Sequence, residues 1–377
     1  MIYHHYYKNY IKIKNLLCDN NLSAPFTESM ILQKEPALCL ESARRTSRRQ
    51  GVGRADETVY TTPAMNKKRR PTHPVTAEQA SSSLPPADVW GARDVSSGKG
   101  SGDENFPVGS LLLDKKLRPH VHAYYNYARA IDDIADCETL DAEEKITRLN
   151  AMEDVLLGKR EAISRDDAQS AAALRTSLMQ TKVPFETATD LTIAFRDDAR
   201  NVPCKTWSDL VSYCRYSANP VGRFLIALHR ESPAAYAASD ALCTSLQILN
   251  HLQDCQKDLR LLGRCYMPED LMARAGATQD DLLAGRATPR LRRVFNTLLD
   301  NTDELNAQAA TLPAYISDRR FRMECAAIVA LAQRLTLRLR REDPLAGRVS
   351  LKKSDVLHAL GAALKVWPGA SPARKVL

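Results

Sequence analysis

Residues 129–136 read Arg-Ala-Ile-Asp-Asp-Ile-Ala-Asp, and residues 250–258 read Asn-His-Leu-Gln-Asp-Cys-Gln-Lys-Asp. Each stretch sets two aspartates four residues apart, Asp132 with Asp136 and Asp254 with Asp258. On a helix this spacing stacks the carboxylates on one face, one turn above the other, at a repulsive cost of about 0.2–0.5 kcal/mol. A single pair of this kind reads as a solvated helix face, because charges are seldom buried. Two pairs, each dressed with apolar neighbours (Ile131 and Ile134, Leu249 and Leu252), point to helices whose acids line a cavity. Magnesium suits such a lining: it takes carboxylate oxygens, keeps several waters and bridges to phosphates.

Working outward from these motifs, apolar residues recur at three- and four-residue intervals over 117–137, 141–157, 166–178, 184–200, 207–229, 234–262, 280–284, 291–312 and 318–341. Prolines at 184, 203, 233, 268, 289, 313 and 344 punctuate them. No stretch alternates in the two-residue period of a strand. The expected architecture is all-α, one helical domain over 104–370 around a central cavity. The last amphipathic segment, 351–367, reads either as a terminal helix docked on the core or as a helix lying on a membrane surface.

Residues 1–103 differ in kind. An aromatic, basic start gives way to a basic cluster at 67–70, four prolines, and a Ser/Gly-rich run at 96–102. This is the composition of a disordered extension and linker, and Met65, just before the basic cluster, is expected to be the translation start. The net charge of +8 on 377 residues divides unevenly: +6 falls in residues 1–100 and +2 in the rest, so the helical body offers no nucleic-acid surface. Nine cysteines without a Cys-x-x-Cys pair read as reduced thiols of a cytosolic protein. No apolar run reaches eighteen residues, so no membrane span is expected.

Five blocks follow one another in order: Glu-Asn-Phe-Pro-Val at 104–108, Tyr-Asn-Tyr-Ala-Arg-Ala-Ile-Asp-Asp-Ile-Ala-Asp at 125–136, Tyr-Cys-Arg-Tyr-Ser-Ala-Asn-Pro-Val-Gly-Arg at 213–223, the stretch 247–258, and Gly-Arg-Cys-Tyr-Met-Pro at 263–268. Together they resemble the squalene and phytoene synthase family. The first and third resemble most the hopanoid-pathway branch that forms hydroxysqualene from presqualene diphosphate. Gln253 stands where many phytoene and squalene synthases carry Arg, which disfavours carotenoid synthesis. The resemblance implies an isoprenoid synthase fold with both aspartate motifs facing across a deep pocket.

By the same resemblance, Asp132, Asp136, Asn250, Asp254 and Asp258 are expected to hold magnesium, or manganese, against a substrate diphosphate. Arg129, Gln247, Gln253, Arg264 and Tyr266 are expected on the diphosphate. The spacing also allows Arg129 an intrahelical ion pair with Asp132 or Asp133, and Tyr266 plain packing. Departure of diphosphate leaves a cation that needs aromatic faces, each worth about 2 kcal/mol when desolvated. Phe106, Tyr125 and Tyr213 are the candidates, with Phe224 a fourth. The small residues and proline at 217–222 predict a kink that makes room for a prenyl chain. NADPH is not expected, since no glycine-rich dinucleotide fingerprint occurs.

The substrate is expected to be presqualene diphosphate; farnesyl diphosphate, condensed head to head, is the rival. A non-catalytic assembly factor on the same fold is a third reading, opposed by the intact aspartates. A di-iron bundle would need Glu-x-x-His pairs, absent from both motif helices. Pathway enzymes and the inner membrane face are the expected partners of a cytoplasmic enzyme.

Overall fold

The computed structural model describes Trp90, residues 113–163 and residues 165–367. The 104–108 block with Phe106, the basic cluster at 67–70 and Met65 lie outside the described residues. Among the described residues every regular element is a helix. The helices α1 (Arg118–Asp136), α2 (Ala142–Leu157), α3 (Asp166–Thr181) and α4 (Glu186–Ala199) turn their apolar stripes inward. Tyr124, Tyr127, Ile131, Leu149, Met152 and Leu174 are the centre of that first core. A second core gathers around α7 (Tyr236–Leu262), α10 (Pro289–Ala309) and α12 (Arg319–Arg341), with Leu249, Leu298, Leu331 and Leu335 at its centre. Between the two lie α5 (Trp207–Ser217) and α6 (Asn219–Leu228); Phe224 of α6 belongs to the first core and Ile226 to the second.

Local signals fix the helix ends. The Asp141 side chain accepts from the Glu144 N–H at 2.9 Å and opens α2, and Thr206 does the same for Asp209 at the start of α5. Such caps are worth about 1 kcal/mol each. The expected helix over 207–229 is interrupted at Ala218 (φ −123°, ψ −48°). Pro220 has no N–H for the Tyr216 carbonyl, so the ladder cannot continue through it. The expected segment 234–262 opens with a 3-10 turn, Pro233–Ala235, before α7. The expected 291–312 helix is α10 followed by the short α11 (Leu312–Tyr315). Before α10 stands α9 (Gln279–Leu283), and before that α8 (Glu269–Ala275), which the sequence reading did not anticipate because seven residues show too little period.

Gly222 lets α6 lie against α7. A Cβ there would stand 2.3 Å from Ser239 Oγ and 2.8 Å from Cys243 Sγ, closer than any side chain tolerates. The small residues of the kink thus serve helix contact at Gly222, while Ser217 and Val221 face the cavity. The last helix, α13 (Lys353–Lys365), docks on α12 through Val356, Ala359 and Ala363, which are buried. Asp355 fastens it, accepting from Arg334 Nε at 2.7 Å and Arg338 Nε at 2.5 Å. Leu357, Leu364 and Trp367 remain exposed. No described helix is long and apolar enough to cross a membrane. The described cysteines are all unpaired thiols, and Cys214, Cys243, Cys255 and Cys325 are buried.

Candidate active site

Both motif helices, α1 and α7, border one cleft at the junction of the two cores. From α1 come Tyr125, Arg129, Asp132 and Asp136; from α7, Gln247 and His251. Leu191, Phe195 and Asp198 of α4 and Val221 of α6 form the apolar side, interrupted by one acid. Tyr213 and Ser217 of α5, with Arg264 and Tyr266 beyond α7, close the circuit.

Two of the acids, Asp136 and Asp258, are held in surroundings that disfavour their charge. Burial, then Asp132, push Asp136 up to about 6, against the pull of Arg264. Asp258 is fully buried and neither carboxylate oxygen has a hydrogen-bond partner; burial and Asp254 push it up to about 8, with a contribution from Asp136 that places the two motifs within electrostatic reach. One and two turns before it on the same face are Asp254, also buried, and Asn250, whose amide nitrogen and oxygen are both buried without partners. Orphaned polar atoms of this kind cost about 1–3 kcal/mol each. Among the described residues no three His, Cys, Asp or Glu side chains converge to hold a metal alone. Paired carboxylates fit magnesium, which binds through one or two of them and completes its shell with water and phosphate oxygens.

Gly263, with φ +65°, ends α7 and turns the chain back. Arg264 then reaches across to α1 and α4: Nη1 donates to Asp136 Oδ1 at 2.5 Å, Nη2 to the Ala135 carbonyl at 2.8 Å and Nε to the Asp198 carbonyl at 3.2 Å. Burial opposes its charge, but Asp198, Tyr266 and Asp136 outweigh that and hold the guanidinium protonated. Lys145 of α2, half-buried, lies within reach, and burial together with Arg264 lowers its pKa. Asp198 accepts from the Tyr213 hydroxyl and the Tyr266 hydroxyl, each at 2.8 Å. Burial raises Asp198 above the usual carboxylate range, although Arg264 and both phenols pull it down. His251 stacks on Tyr266 with ring centroids 3.8 Å apart, and burial lowers its pKa to about 3, so it is neutral.

Of the residues singled out in the sequence, Tyr125, Arg129, Asp132, Asp136, Tyr213, Gln247, Arg264 and Tyr266 all border the cleft. Arg129 Nε also pairs with Asp133 at 3.1 Å, the intrahelical bond its spacing allowed. Asn250, Asp254 and Asp258 are not among the residues that border the cleft, and neither are Gln253 and Phe224. Gln253 turns to another face of α7, where its Nε2 donates to the Val349 carbonyl at 2.6 Å. Phe224 is core, stacked on Tyr124 with centroids 4.0 Å apart. Arg264 is a bridge between helix ends as well as a cation facing the cleft. Asp198 and His251 were missed. The signal for Asp198 was its phase: it continues the stripe of Leu191 and Phe195, where an apolar residue belongs.

Residues 100–355 match the family profile described as Squalene/phytoene synthase. A hydroxysqualene synthase of Rhodopseudomonas palustris is 41% identical over 272 residues, which cover 72% of this chain and 91% of that protein. One of Zymomonas mobilis is 39% identical over 263 residues, covering 69% and 87%. Among solved structures, the squalene synthase HpnC of Alicyclobacillus acidocaldarius is 32% identical with a TM-score of 0.56, across 64% of this chain and 89% of that one. With the profile spanning more than half of the sequence and a fold shared with a solved squalene synthase, the chain belongs to the squalene/phytoene synthase family.

Proposed function

We propose that this chain converts presqualene diphosphate to hydroxysqualene, with a divalent cation, magnesium or manganese, at the paired aspartates. The reading is supported by the identity to hydroxysqualene synthases over about nine-tenths of the R. palustris protein. The observation that carries the site is the row of buried, unpartnered polar atoms of Asn250 and Asp258 on α7, in electrostatic reach of Asp136 on α1. Asp132, Asp136, Asn250, Asp254 and Asp258 are the proposed metal ligands. When bound, the metal supplies Lewis-acid neutralisation of the leaving diphosphate's charge without proton transfer.

The chain's own groups do the rest. Arg129, Gln247 and Arg264 orient the diphosphate at the aspartate end of the cleft, while Tyr266, expected on the diphosphate as well, commits its hydroxyl proton to Asp198. Tyr125 and Tyr213 present ring faces to the cation, and Phe106, outside the described residues, is proposed for the same role. Leu191, Phe195 and Val221 keep the hydrocarbon chains dry. Residues 104–370 are the proposed catalytic domain, preceded by the extension 1–103. The exposed Leu357, Leu364 and Trp367 on α13, beside Lys353 and Lys365, are the proposed contact with the cytoplasmic face of a membrane, where substrate and product partition and pathway enzymes meet. A second reading, head-to-head condensation of farnesyl diphosphate, draws on the likeness to the HpnC squalene synthase.

The test offers purified protein with magnesium and no nicotinamide cofactor, given presqualene diphosphate and farnesyl diphosphate in separate tubes, with Asp254→Asn as the control. Hydroxysqualene from the first tube, lost in the variant, is the expected result. Presqualene diphosphate from the second moves the enzyme one step upstream, and silence in both overturns the proposal.

A further inference from the structure

Tyr213 and Tyr266 come from different elements, yet each gives its hydroxyl proton to the same carboxylate, one to Asp198 Oδ2 and the other to Oδ1. A phenol has one proton to give. With both protons committed to Asp198, the two oxygens can offer the cleft only lone pairs. Beside them His251 has its Nε2 2.8 Å from Gln247 Nε2, an amide nitrogen that donates, so the imidazole carries its proton on Nδ1. That Nδ1 is buried and has no hydrogen-bond partner. Ser217 stands one turn after Tyr213 on α5, and its Oγ is buried and unpartnered too, as is Gln247 Oε1. All these residues border the cleft. Buried polar atoms without partners are rare, and several together on one cavity wall mark the seat of an ordered water.

We infer that this wall holds the water that captures the cation, and that Asp198 is the positioning residue that aims it. The inference rests on the proposed formation of hydroxysqualene. A water seated here donates to a phenol oxygen and accepts from His251 Nδ1–H, which leaves a lone pair for the cleft. At capture, that lone pair forms the new C–O bond to the cationic carbon. The resulting oxonium passes one proton to the Tyr213 oxygen as the Tyr213 proton passes to Asp198 Oδ2, giving the neutral alcohol with no change of oxidation state. Asp198 returns its proton to solvent when product leaves. The raised affinity of the buried Asp198 carboxylate for a proton is in keeping with this step. Without an aimed water, the cation's remaining course is to lose a proton from a neighbouring carbon and end as a C30 hydrocarbon.

The ratio of hydroxysqualene to hydrocarbon formed from presqualene diphosphate tests the inference. Asp198→Asn places an amide donor opposite one phenol, so that phenol must swing its proton into the cleft. The alcohol share is expected to fall by about tenfold or more, the scale of one charge-assisted hydrogen bond, and Asp198→Glu, which keeps two acceptors, restores part of it. Ser217→Ala removes a hydroxyl that no protein group uses, so it tests the same ratio even where Asp198→Asn does not fold. A lowered share in a variant that melts like the wild type supports the inference. An unchanged ratio in folded Asp198→Asn, or in Ser217→Ala where the former does not fold, overturns it. Wild-type protein that forms no hydroxysqualene overturns the proposed function itself, and with it the inference.

Discussion

Replacing Arg264 with lysine keeps a positive charge at the junction of α1, α4 and α7 and removes its fork. Arg264 donates to the Asp136 carboxylate and to the Ala135 and Asp198 carbonyls, and an ammonium on a flexible stem can satisfy one of these well. Hydrogen bonds from a charged donor are worth about 1.5–3 kcal/mol each. Two are lost, and the Asp136 side chain, 27% exposed, recovers some hydration. The expected cost of Arg264→Lys is therefore about 2–4 kcal/mol, and that of Arg264→Ala about 3–5 kcal/mol, since Asp136 then loses its partner altogether. Urea denaturation at fixed ionic strength reads both. Crossing each variant with Asp136→Asn should give a coupling energy of about 1–3 kcal/mol. Magnesium with a diphosphate should shrink that coupling, because Asp136 then shares its charge with the metal. An Arg264→Lys protein that unfolds at the wild-type midpoint would show that the bridge carries no weight, and the reasoning would fail.

Gly222→Ala should cost about 1–3 kcal/mol by overpacking α6 on α7, and Ser239→Ala, which removes the nearest atom at 2.3 Å, should relieve part of it in the double variant; additive losses in melting temperature would contradict the close contact. Asp258 titrates at about 8 in the folded, metal-free protein and at about 3.9 unfolded, so the stability of its neutral form is present below about pH 4 and lost as pH rises toward 8. Denaturation midpoints measured in chelator should therefore decline over that window, and Asp258→Asn should flatten the decline; an equal slope in both proteins counts against the buried charge. Gln253→Ala should lower stability by about 1–2 kcal/mol by freeing the Val349 carbonyl and leave KM for the prenyl diphosphate unchanged, whereas a raised KM would return Gln253 to the substrate.

The aspartate motifs were legible because their spacing matches a helical turn, so Asp132, Asp136, Asp254 and Asp258 carry their own geometry. The break at Ala218 was legible too, since Pro220 removes a donor wherever the rest of the chain lies. Asp198 was not, because Arg-Asp-Asp-Ala-Arg at 196–200 has the composition of a solvated helix end, and only the arrival of Tyr213 and Tyr266 from distant segments makes a carboxylate stable there. Gln253 shows the converse. A motif read as a string assigns neighbours alike, but a step of one residue turns about 100° around a helix, enough to turn Gln253 away from the face of Asn250, Asp254 and Asp258 and onto the Val349 loop.

The buried thiols carry a consequence for how motion in this enzyme could be followed. Burial lifts Cys214 and Cys325 well above the ordinary thiol range and Cys243 and Cys255 to about 12. A covered, protonated thiol reacts with an alkylating reagent only during the moments when its helix parts from its neighbours. The four positions then act as separate clocks: Cys214 for the α5 wall beside Tyr213, Cys243 for the seam at Gly222, Cys255 for the second aspartate motif and Cys325 for the interior of α12. Rates of labelling, compared one cysteine at a time with and without a prenyl diphosphate, would time the breathing of each wall of the cleft without any introduced probe.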